Sequence, residues 1–237
     1  MGRRVNPHCR RQEEDDGYVR LYDVTVRYGR QTALDGVSGE FVPGSLTAVV
    51  GANGAGKSTL LGAIAGSVRL AGGTIDRGAP HRLAYLPQLA AIDCEFPLTV
   101  RELIALGGWW EFGAFRAPSA DFATRLAAAA ETVGLSERLG RFIGELSRGE
   151  LQRALFARLM LQEASVILLD EPFAAVDART AAVLIDHVMR WHREGRTVIA
   201  VLHDLDLVRL RFPSTLVLAR RCTAWGPTEI ALPAMAA

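Results

Sequence analysis

The sequence is almost without lysine. Its 27 basic residues comprise 26 arginines and one lysine, Lys57. A lysine ammonium is a compact point charge on a flexible stem, whereas the arginine guanidinium is a planar fork. Because every other basic residue is an arginine, the lysine at position 57 indicates that a compact cation is needed there.

Long apolar runs, paired cysteines and an excess of one charge are also missing. The most apolar stretch, residues 154–169, is interrupted by polar side chains and falls short of the roughly 18 apolar residues that a membrane span needs. The three cysteines, Cys9, Cys94 and Cys222, are scattered, which argues against a disulfide framework and favours the cytosol. A net charge of +1 gives no general attraction to nucleic acid or to anionic membranes.

The composition favours one large α/β domain. Of the 237 residues, 49% are hydrophobic and 22% are charged, which is enough to form a substantial core. We expect residues 1–17, which are polar and charged, to be a disordered leader. Residues 18–237 are then a single domain.

The segment from Thr47 to Thr59 predicts a phosphate-binding loop. An apolar, β-branched run at 47–50 predicts a buried parallel strand, and helix-forming residues follow the loop. Glycines let the backbone N–H groups face phosphate oxygens, the lysine reaches the β- and γ-phosphates, and the serine hydroxyl can bind Mg²⁺. The predicted nucleotide-binding residues are Gly51, Asn53, Gly54, Ala55, Gly56, Lys57, Ser58 and Thr59.

Two further apolar runs end in polar residues. The strand predicted at 165–169 ends at Asp170 and Glu171, and the strand predicted at 197–202 ends at His203. In doubly wound folds such strand ends lie beside the phosphate loop. We expect Asp170 to hold Mg²⁺, Glu171 to orient or deprotonate the attacking water, and His203 to hydrogen-bond the γ-phosphate.

With these pieces in place, the chain resembles the ATP-binding cassette (ABC) family from about Tyr18 to Ile230. Residues 146–153, L-S-R-G-E-L-Q-R, resemble the family's L-S-G-G-Q signature loop and the start of its helix. Residue 150 lies 20 positions before Asp170 (170 − 150 = 20), the spacing that the family has. Other phosphate-loop ATPases and GTPases lack this element, and a GTPase-like switch would also need a guanine-reading motif.

The resemblance implies further site residues. Tyr28 matches the aromatic residue that stacks on adenine, and Gln88 matches the glutamine that senses Mg²⁺ and the attacking water. Asp177 lies in the loop that crosses to the other subunit, and His203 matches the switch histidine. The implied catalytic residues are thus Glu171, His203 and Gln88, and the implied Mg²⁺ ligands are Ser58, Gln88 and Asp170.

Two positions depart from the signature pattern. Arg148 replaces a glycine and Glu150 replaces the glutamine, whereas Ser147 and Gly149, which contact the γ-phosphate in the family, are kept. We expect Glu150 to pair with Arg153 or Arg148. Arg148 has two open interpretations, a contact at a dimer interface or a solvent-exposed side chain. Tight nucleotide-driven dimerisation is the property that these departures put in doubt.

The fold implied is α/β. It has a P-loop NTPase core of mainly parallel sheet with helices on both faces, an N-terminal antiparallel β subdomain, and an inserted α-helical subdomain at about residues 97–150. Periodicity predicts helices at 99–106, 121–133 and 178–194.

The function implied is that of the ATP-hydrolysing subunit of an ABC transporter, with ATP and Mg²⁺ as cofactors. The family forms a head-to-tail homodimer on ATP binding and acts on an integral membrane permease, so we expect a cytoplasmic protein peripheral on the inner face of the membrane. An extracytoplasmic substrate-binding protein is an indirect partner, and no nucleic acid is expected.

The segment at 92–103 resembles the corresponding part of metal importers, which favours import of a divalent metal, zinc before manganese. A siderophore- or cobalamin-type importer and a soluble non-transport cassette remain alternatives. Phe96, Leu98, Trp109 and Trp110 either dock the permease or fill the subdomain's own core.

Overall fold

A computed structural model describes residues 17–78, 83–113 and 117–235. The predicted leader lies almost wholly outside these residues. The chain divides into two compact units. Unit 1 takes the residues up to Leu83, 164–168 and those from Trp191 onwards, and unit 2 takes 84–163 and 169–190.

The described part of the chain contains both strands and helices. The strands are β1 (Val19–Tyr28), β2 (Gln31–Phe41), β3 (Leu46–Val50), β4 (Gly72–Asp76), β5 (Leu83–Leu86), β6 (Val166–Asp170), β7 (Thr197–Val201), β8 (Ser214–Ala219) and β9 (Arg221–Pro227). The helices are α1 (Lys57–Ala65), α2 (Val100–Ala105), α3 (Trp109–Phe112), α4 (Ala120–Thr132), α5 (Arg148–Met160), α6 (Ala178–Arg193), α7 (Leu205–Arg211) and α8 (Thr228–Ala231). Within the described ranges, each helix is too short or too polar to cross a membrane.

Unit 1 holds two sheets. The first is antiparallel, with strand order β2-β1-β4. The second runs β6-β7-β3-β8-β9, with β3 parallel to both β7 and β8 and β9 antiparallel at the edge. Every residue of β3, β6 and β7 is buried, as continuous apolar runs in a covered parallel sheet require. Trp225 of β9 packs on Phe41 of β2, with ring centroids 4.5 Å apart.

Unit 2 is mainly helical, with β5 beside the end of β6, whose last two residues belong to this unit. Helices α2 and α4 both contact α5, and Phe122 and Phe156 are fully buried. Thr99 caps α2 and Ser119 caps α4, so each of these helices lies within about one residue of its prediction. The predicted stop at Gly134 has a left-handed backbone (φ 68°).

The predicted fold class is confirmed. The mainly parallel sheet, the antiparallel sheet formed by the N-terminal strands and the helical segment all occur. β4 was not foreseen as part of the antiparallel sheet, because its sequence, Gly72–Asp76, has little apolar alternation.

Candidate nucleotide site

The phosphate loop lies between buried β3 and helix α1 in unit 1. Gly56, the residue before the helix, is left-handed (φ 96°), and a Cβ there would stand 2.5 Å from the backbone oxygen of Ala33. Any other residue would be strained at this point, so the chain can enter the helix this tightly only with glycine. The first N–H groups of a helix have no intrahelical acceptor, and α1 therefore offers them to an anion.

Lys57 is folded back onto this loop. Its side chain is 6% exposed, and Nζ donates hydrogen bonds to the backbone oxygens of Gly51 (2.9 Å) and Ala52 (3.0 Å). The ammonium thus sits within the loop whose N–H groups are suited to phosphate. A planar guanidinium would not reproduce this compact arrangement, which explains the single lysine of the chain.

Two other predicted residues lie in unit 1. Tyr28 ends β1 and is exposed, as a residue that stacks on a base must be. His203 follows β7 and is exposed. Asp204 accepts hydrogen bonds from the N–H groups of Asp206 and Leu207 and so caps α7, which fixes the turn that carries the histidine.

Unit 2 brings together the acidic pair and the predicted glutamine. Asp170 ends β6 and is 1% exposed. Nε2 of Gln88 donates to Oε1 of Glu171 at 3.0 Å and approaches Oδ1 of Asp170 at 3.5 Å. Gln88 lies 82 and 83 positions before the two acidic residues in sequence, and their convergence is what the motif assignment predicts.

A cavity of about 430 Å³ opens beside this cluster. Its lining includes Gln88, Asp170 and Glu171 together with Arg148 of the signature loop. The lining is acidic at the strand end and basic at Arg148. Of the two interpretations left open for Arg148, the solvent-exposed side chain agrees with the structure, in which Arg148 is exposed at the edge of this cavity. A contact at a dimer interface stays a prediction.

The signature loop is the N-terminal cap of α5. The Ser147 hydroxyl and N–H both donate to Oε2 of Glu150 (2.8 and 2.9 Å), and the Glu150 N–H donates to the Ser147 hydroxyl oxygen (3.3 Å). These bonds from the backbone N–H and hydroxyl of Ser147 hold the pKa of Glu150 below its ordinary value, with a smaller contribution from Arg138. The ion pair of Glu150 is with Arg138 at 3.5 Å, so the expected pairing with Arg153 or Arg148 is wrong. Arg153 instead donates to the backbone oxygen of Val133.

Gly149 of helix α5 packs against the loop that follows the acidic pair, and Asp177 lies at the end of that loop. A Cβ on Gly149 would stand 2.6 Å from the backbone oxygen of Ala175, so helix α5 approaches this loop closely. Asp177 accepts from the hydroxyl (2.7 Å) and N–H (3.0 Å) of Thr180, which lowers its pKa and caps α6.

The side chains present fit ATP and Mg²⁺. Mg²⁺ prefers oxygen ligands and keeps waters and phosphates beside one or two protein groups. Each unit by itself offers an oxygen donor of this kind: unit 1 has the Ser58 hydroxyl, and unit 2 has the buried carboxylate of Asp170. Among the residues that the structure describes, no group of three or more His, Cys, Asp and Glu side chains could hold a metal by itself.

Sequence reasoning missed two polar residues of unit 2. Gln152 on α5 is buried and donates to the backbone oxygens of Glu171 and Pro172. Arg158, one and a half turns later, donates to the backbone oxygen of Tyr85 (3.1 Å), and burial lowers its pKa. The signal available was a polar residue on the apolar face of a helix, which predicts burial but not its partner.

Comparison with known proteins adds an independent finding. The sequence model of the family described as ABC transporter matches residues 34–174. The chain is 33% identical over 217 residues to the manganese transport system ATP-binding protein MntB of Listeria monocytogenes, covering 89% of this chain and 90% of that protein. It is 37% identical over 214 residues to the zinc transport system ATP-binding protein TroB of Treponema pallidum, covering 88% and 80%.

A solved structure has the same fold. The ATP-binding subunit of an ABC transporter superposes with a TM-score of 0.77 at 25% identity, covering 88% of this chain and 89% of that one. Among relatives of comparable identity, manganese appears in the names more often than zinc.

Proposed function

The chain belongs to the ABC transporter family, and on that premise we propose that it energises uptake of a divalent metal ion, manganese or zinc, through a separate membrane permease. It is an ATPase of a transport system. The observation that carries the metal proposal is the similarity to manganese and zinc transport ATP-binding proteins over nearly the whole of both chains.

Manganese is the first cargo in this proposal and zinc the second. The preference for zinc drawn from the sequence is not confirmed, since relatives named for manganese are the more frequent. The segment at 92–103 supports a metal but does not distinguish the two, because cargo contacts the permease and not this chain.

Nucleotide binding falls to the phosphate loop of unit 1. In this proposal the N–H groups of Gly54, Gly56 and the first turn of α1 hold the phosphates, and Lys57 moves from the loop oxygens to the β- and γ-phosphates. The exposed ring of Tyr28 stacks on the adenine.

In this proposal the acidic pair, Asp170 and Glu171, carries out ATP hydrolysis. Glu171 accepts a proton from a water, whose oxygen bonds to the γ-phosphorus as the bond to the ADP oxygen breaks. Gln88 orients Glu171 through the 3.0 Å hydrogen bond, and His203 donates to the γ-phosphate. Bound Mg²⁺, held by Asp170, Ser58 and Gln88, would neutralise charge on the phosphates.

The signature loop and Asp177 act on a second copy. We propose a head-to-tail homodimer in which Ser147 and Gly149 meet the ATP held by the partner's phosphate loop. In the isolated chain the Ser147 hydroxyl donates to Glu150, so this hydroxyl must turn to reach a phosphate. The permease docks on the exposed aromatic side chains of unit 2, on the inner face of the membrane, and a substrate-binding protein delivers the metal outside.

Metal content of cells tests the proposal. Cells of the source organism carrying Lys57→Ala are grown with manganese or zinc limiting, and their elemental content is compared with the wild type. We expect a selective fall in one of the two metals. The control Arg69→Ala, an exposed cation, keeps wild-type content. Unchanged manganese and zinc under both limitations, with ATPase activity lost in the purified Lys57→Ala protein, would contradict the metal proposal.

A further inference from the structure

Gln152 is a buried polar side chain that hydrogen-bonds the backbone beside the acidic pair. It lies in the second turn of α5 among buried apolar neighbours and is 1% exposed. Its Nε2 donates to the backbone oxygens of Glu171 (3.3 Å) and Pro172 (2.9 Å). A buried amide with no such acceptors would be costly, so these bonds determine where the side chain lies.

The backbone that Gln152 holds is strained. Glu171 has φ 52° although it is not glycine, and Ala175 in the same loop has φ 61°. A left-handed conformation at residues with a Cβ persists only where the surroundings over-determine it. The bonds from Gln152 and the hydrogen bond from the Ala174 N–H to the Glu171 oxygen (3.1 Å) supply that constraint.

The conformation of Glu171 sets the direction of its carboxylate. With the carbonyl fixed by Gln152 behind the loop, the side chain extends to Nε2 of Gln88 at 3.0 Å. If the carbonyl were released, the backbone could relax towards the ordinary helical or extended regions, and the carboxylate would turn away from Gln88.

We propose that Gln152 is a positioning residue for ATP hydrolysis: it locks Glu171 in the conformation that aims the carboxylate at the reacting water. The inference rests on the proposed catalytic role of Glu171. Gln152 does not itself touch substrate and acts through the Glu171–Pro172 backbone.

Helix α5 carries both Gln152, which binds the Glu171 backbone, and the signature loop at its N-terminal end. Ser147 caps α5, Gly149 packs against the backbone of Ala175, and Gln152 holds the backbone of Glu171. One rigid helical end thus contacts both ends of the 171–175 loop. A displacement of α5 at Ser147 changes the orientation of Glu171 through these two contacts.

The first test removes the donor while keeping the length of the side chain. In the purified full-length chain, Gln152→Met is expected to lower kcat by about tenfold to a hundredfold, the scale of a small misplacement of a catalytic group. KM and the Kd for ATP are expected to stay within about twofold, since the phosphate loop is untouched. A kcat within about twofold of wild type would overturn the inference.

The second test keeps the shape and makes the donor depend on pH. Gln152→Glu places a carboxylate against two carbonyl oxygens, and burial raises the pKa of such a group. When it is protonated, its O–H can donate to one of the two. The ratio of its kcat to that of wild type is therefore expected to rise as pH falls from about 8 to about 6. A flat or falling ratio would overturn the inference, and this variant decides the question if Gln152→Met does not fold.

A matched control separates positioning from general stability. Gln162, just beyond the end of the same helix, takes the same Gln→Met change and is expected to keep wild-type kcat. Glu171→Gln separates the inference from the proposed function. If that variant hydrolyses ATP normally, the role of Glu171 fails. If it is inactive while Gln152→Met is fully active, only the positioning role fails.

Discussion

The carboxylate of Glu150 stands where the signature pattern has an amide. It accepts two hydrogen bonds from Ser147 and pairs with Arg138, which together keep it ionised. An amide at this position could accept through its oxygen but would carry no charge. The loop therefore gains a stronger helix cap and places a negative charge next to the serine that is proposed to meet a phosphate.

Glu150→Gln is expected to lower the free energy of unfolding by roughly 0.5 kcal/mol near neutral pH, the low end of cap effects because the site is partly solvated. The folded-state pKa of Glu150 lies below the ordinary value for a glutamate, so the carboxylate stabilises the fold at pH values above that ordinary value. The contribution is lost as pH falls through the lowered pKa. Urea unfolding from about pH 7 to about pH 3 should show the wild type and variant converging in acid.

The control for this series is Glu137→Gln, an exposed carboxylate nearby. It should match the wild type across the range. A difference for Glu150→Gln that is absent at neutral pH, or that grows towards acid, would contradict the capping role.

The sequence predicts the positions of some functional residues well, but it does not predict the contacts of others. The positions of Lys57, Asp170 and Glu171 follow from local patterns, because each residue comes at or shortly after the end of a buried apolar strand. The structure has all three at these positions. Gln152 and the Glu150–Arg138 pair depend on contacts between distant segments. No local pattern encodes the partner of a buried amide or the choice among several nearby arginines.

Among the elements, two short paired segments carry exposed aromatic rings. Residues 96–100 lie beside 141–143, joined by a bridge between Thr99 and Phe142 and by the hydrogen bond from Ile143 N–H to the Leu98 oxygen (2.8 Å). Phe96 is 58% exposed and Phe142 is 50% exposed. The sequence predicted an exposed Phe96, but Leu98 is half-buried, and Phe142 was missed because it lies within a polar stretch.

Helix α3 adds two more exposed rings. Trp109 is 50% exposed and Trp110 is 63% exposed, whereas Phe112 of the same helix packs on the buried Phe122. Trp109 and Trp110 thus lie largely outside the core of unit 2, and docking by these two residues stays a prediction. Large exposed aromatics on one unit are the type of side chain that protein interfaces use.

Phe96→Glu and Trp110→Glu are each expected to lower the metal content of cells under manganese limitation. A charge on a docking surface must be desolvated when the partner binds, which weakens the complex. ATP hydrolysis by the purified chain should be unchanged. The control is Leu210→Glu on α7, an apolar position in unit 1 that is more exposed than either aromatic residue. Wild-type metal content in both aromatic variants would argue against docking there.

The elements themselves follow closely from local pattern. The predicted helices and strands agree with the structure to within about three residues, because caps at Thr99 and Ser119 and buried β-branched runs are local signals. The order of strands in the larger sheet, with β3 between β7 and β8, is a tertiary outcome. The sequence analysis did not predict this order, because the residues of one strand do not determine which strand lies beside it.

At the scale of the whole chain, each unit carries its own set of functional residues. Unit 1 has the phosphate loop, Tyr28 and His203, and unit 2 has the acidic pair, Gln88 and the signature loop. The single-domain organisation stays a prediction. The head-to-tail dimer is a proposal that rests on membership of the family. Such a dimer would accumulate when ATP is bound but not hydrolysed.

The most direct test of the account is ATP turnover by Glu171→Gln. The change keeps the size of the side chain but removes its negative charge, and with it the capacity to accept a proton from water. We predict that the variant binds ATP with wild-type affinity or tighter, loses at least a hundredfold in kcat with Mg²⁺ present, and elutes as a dimer in ATP. Hydrolysis near the wild-type rate would contradict the assignment of the acidic pair as the hydrolytic centre.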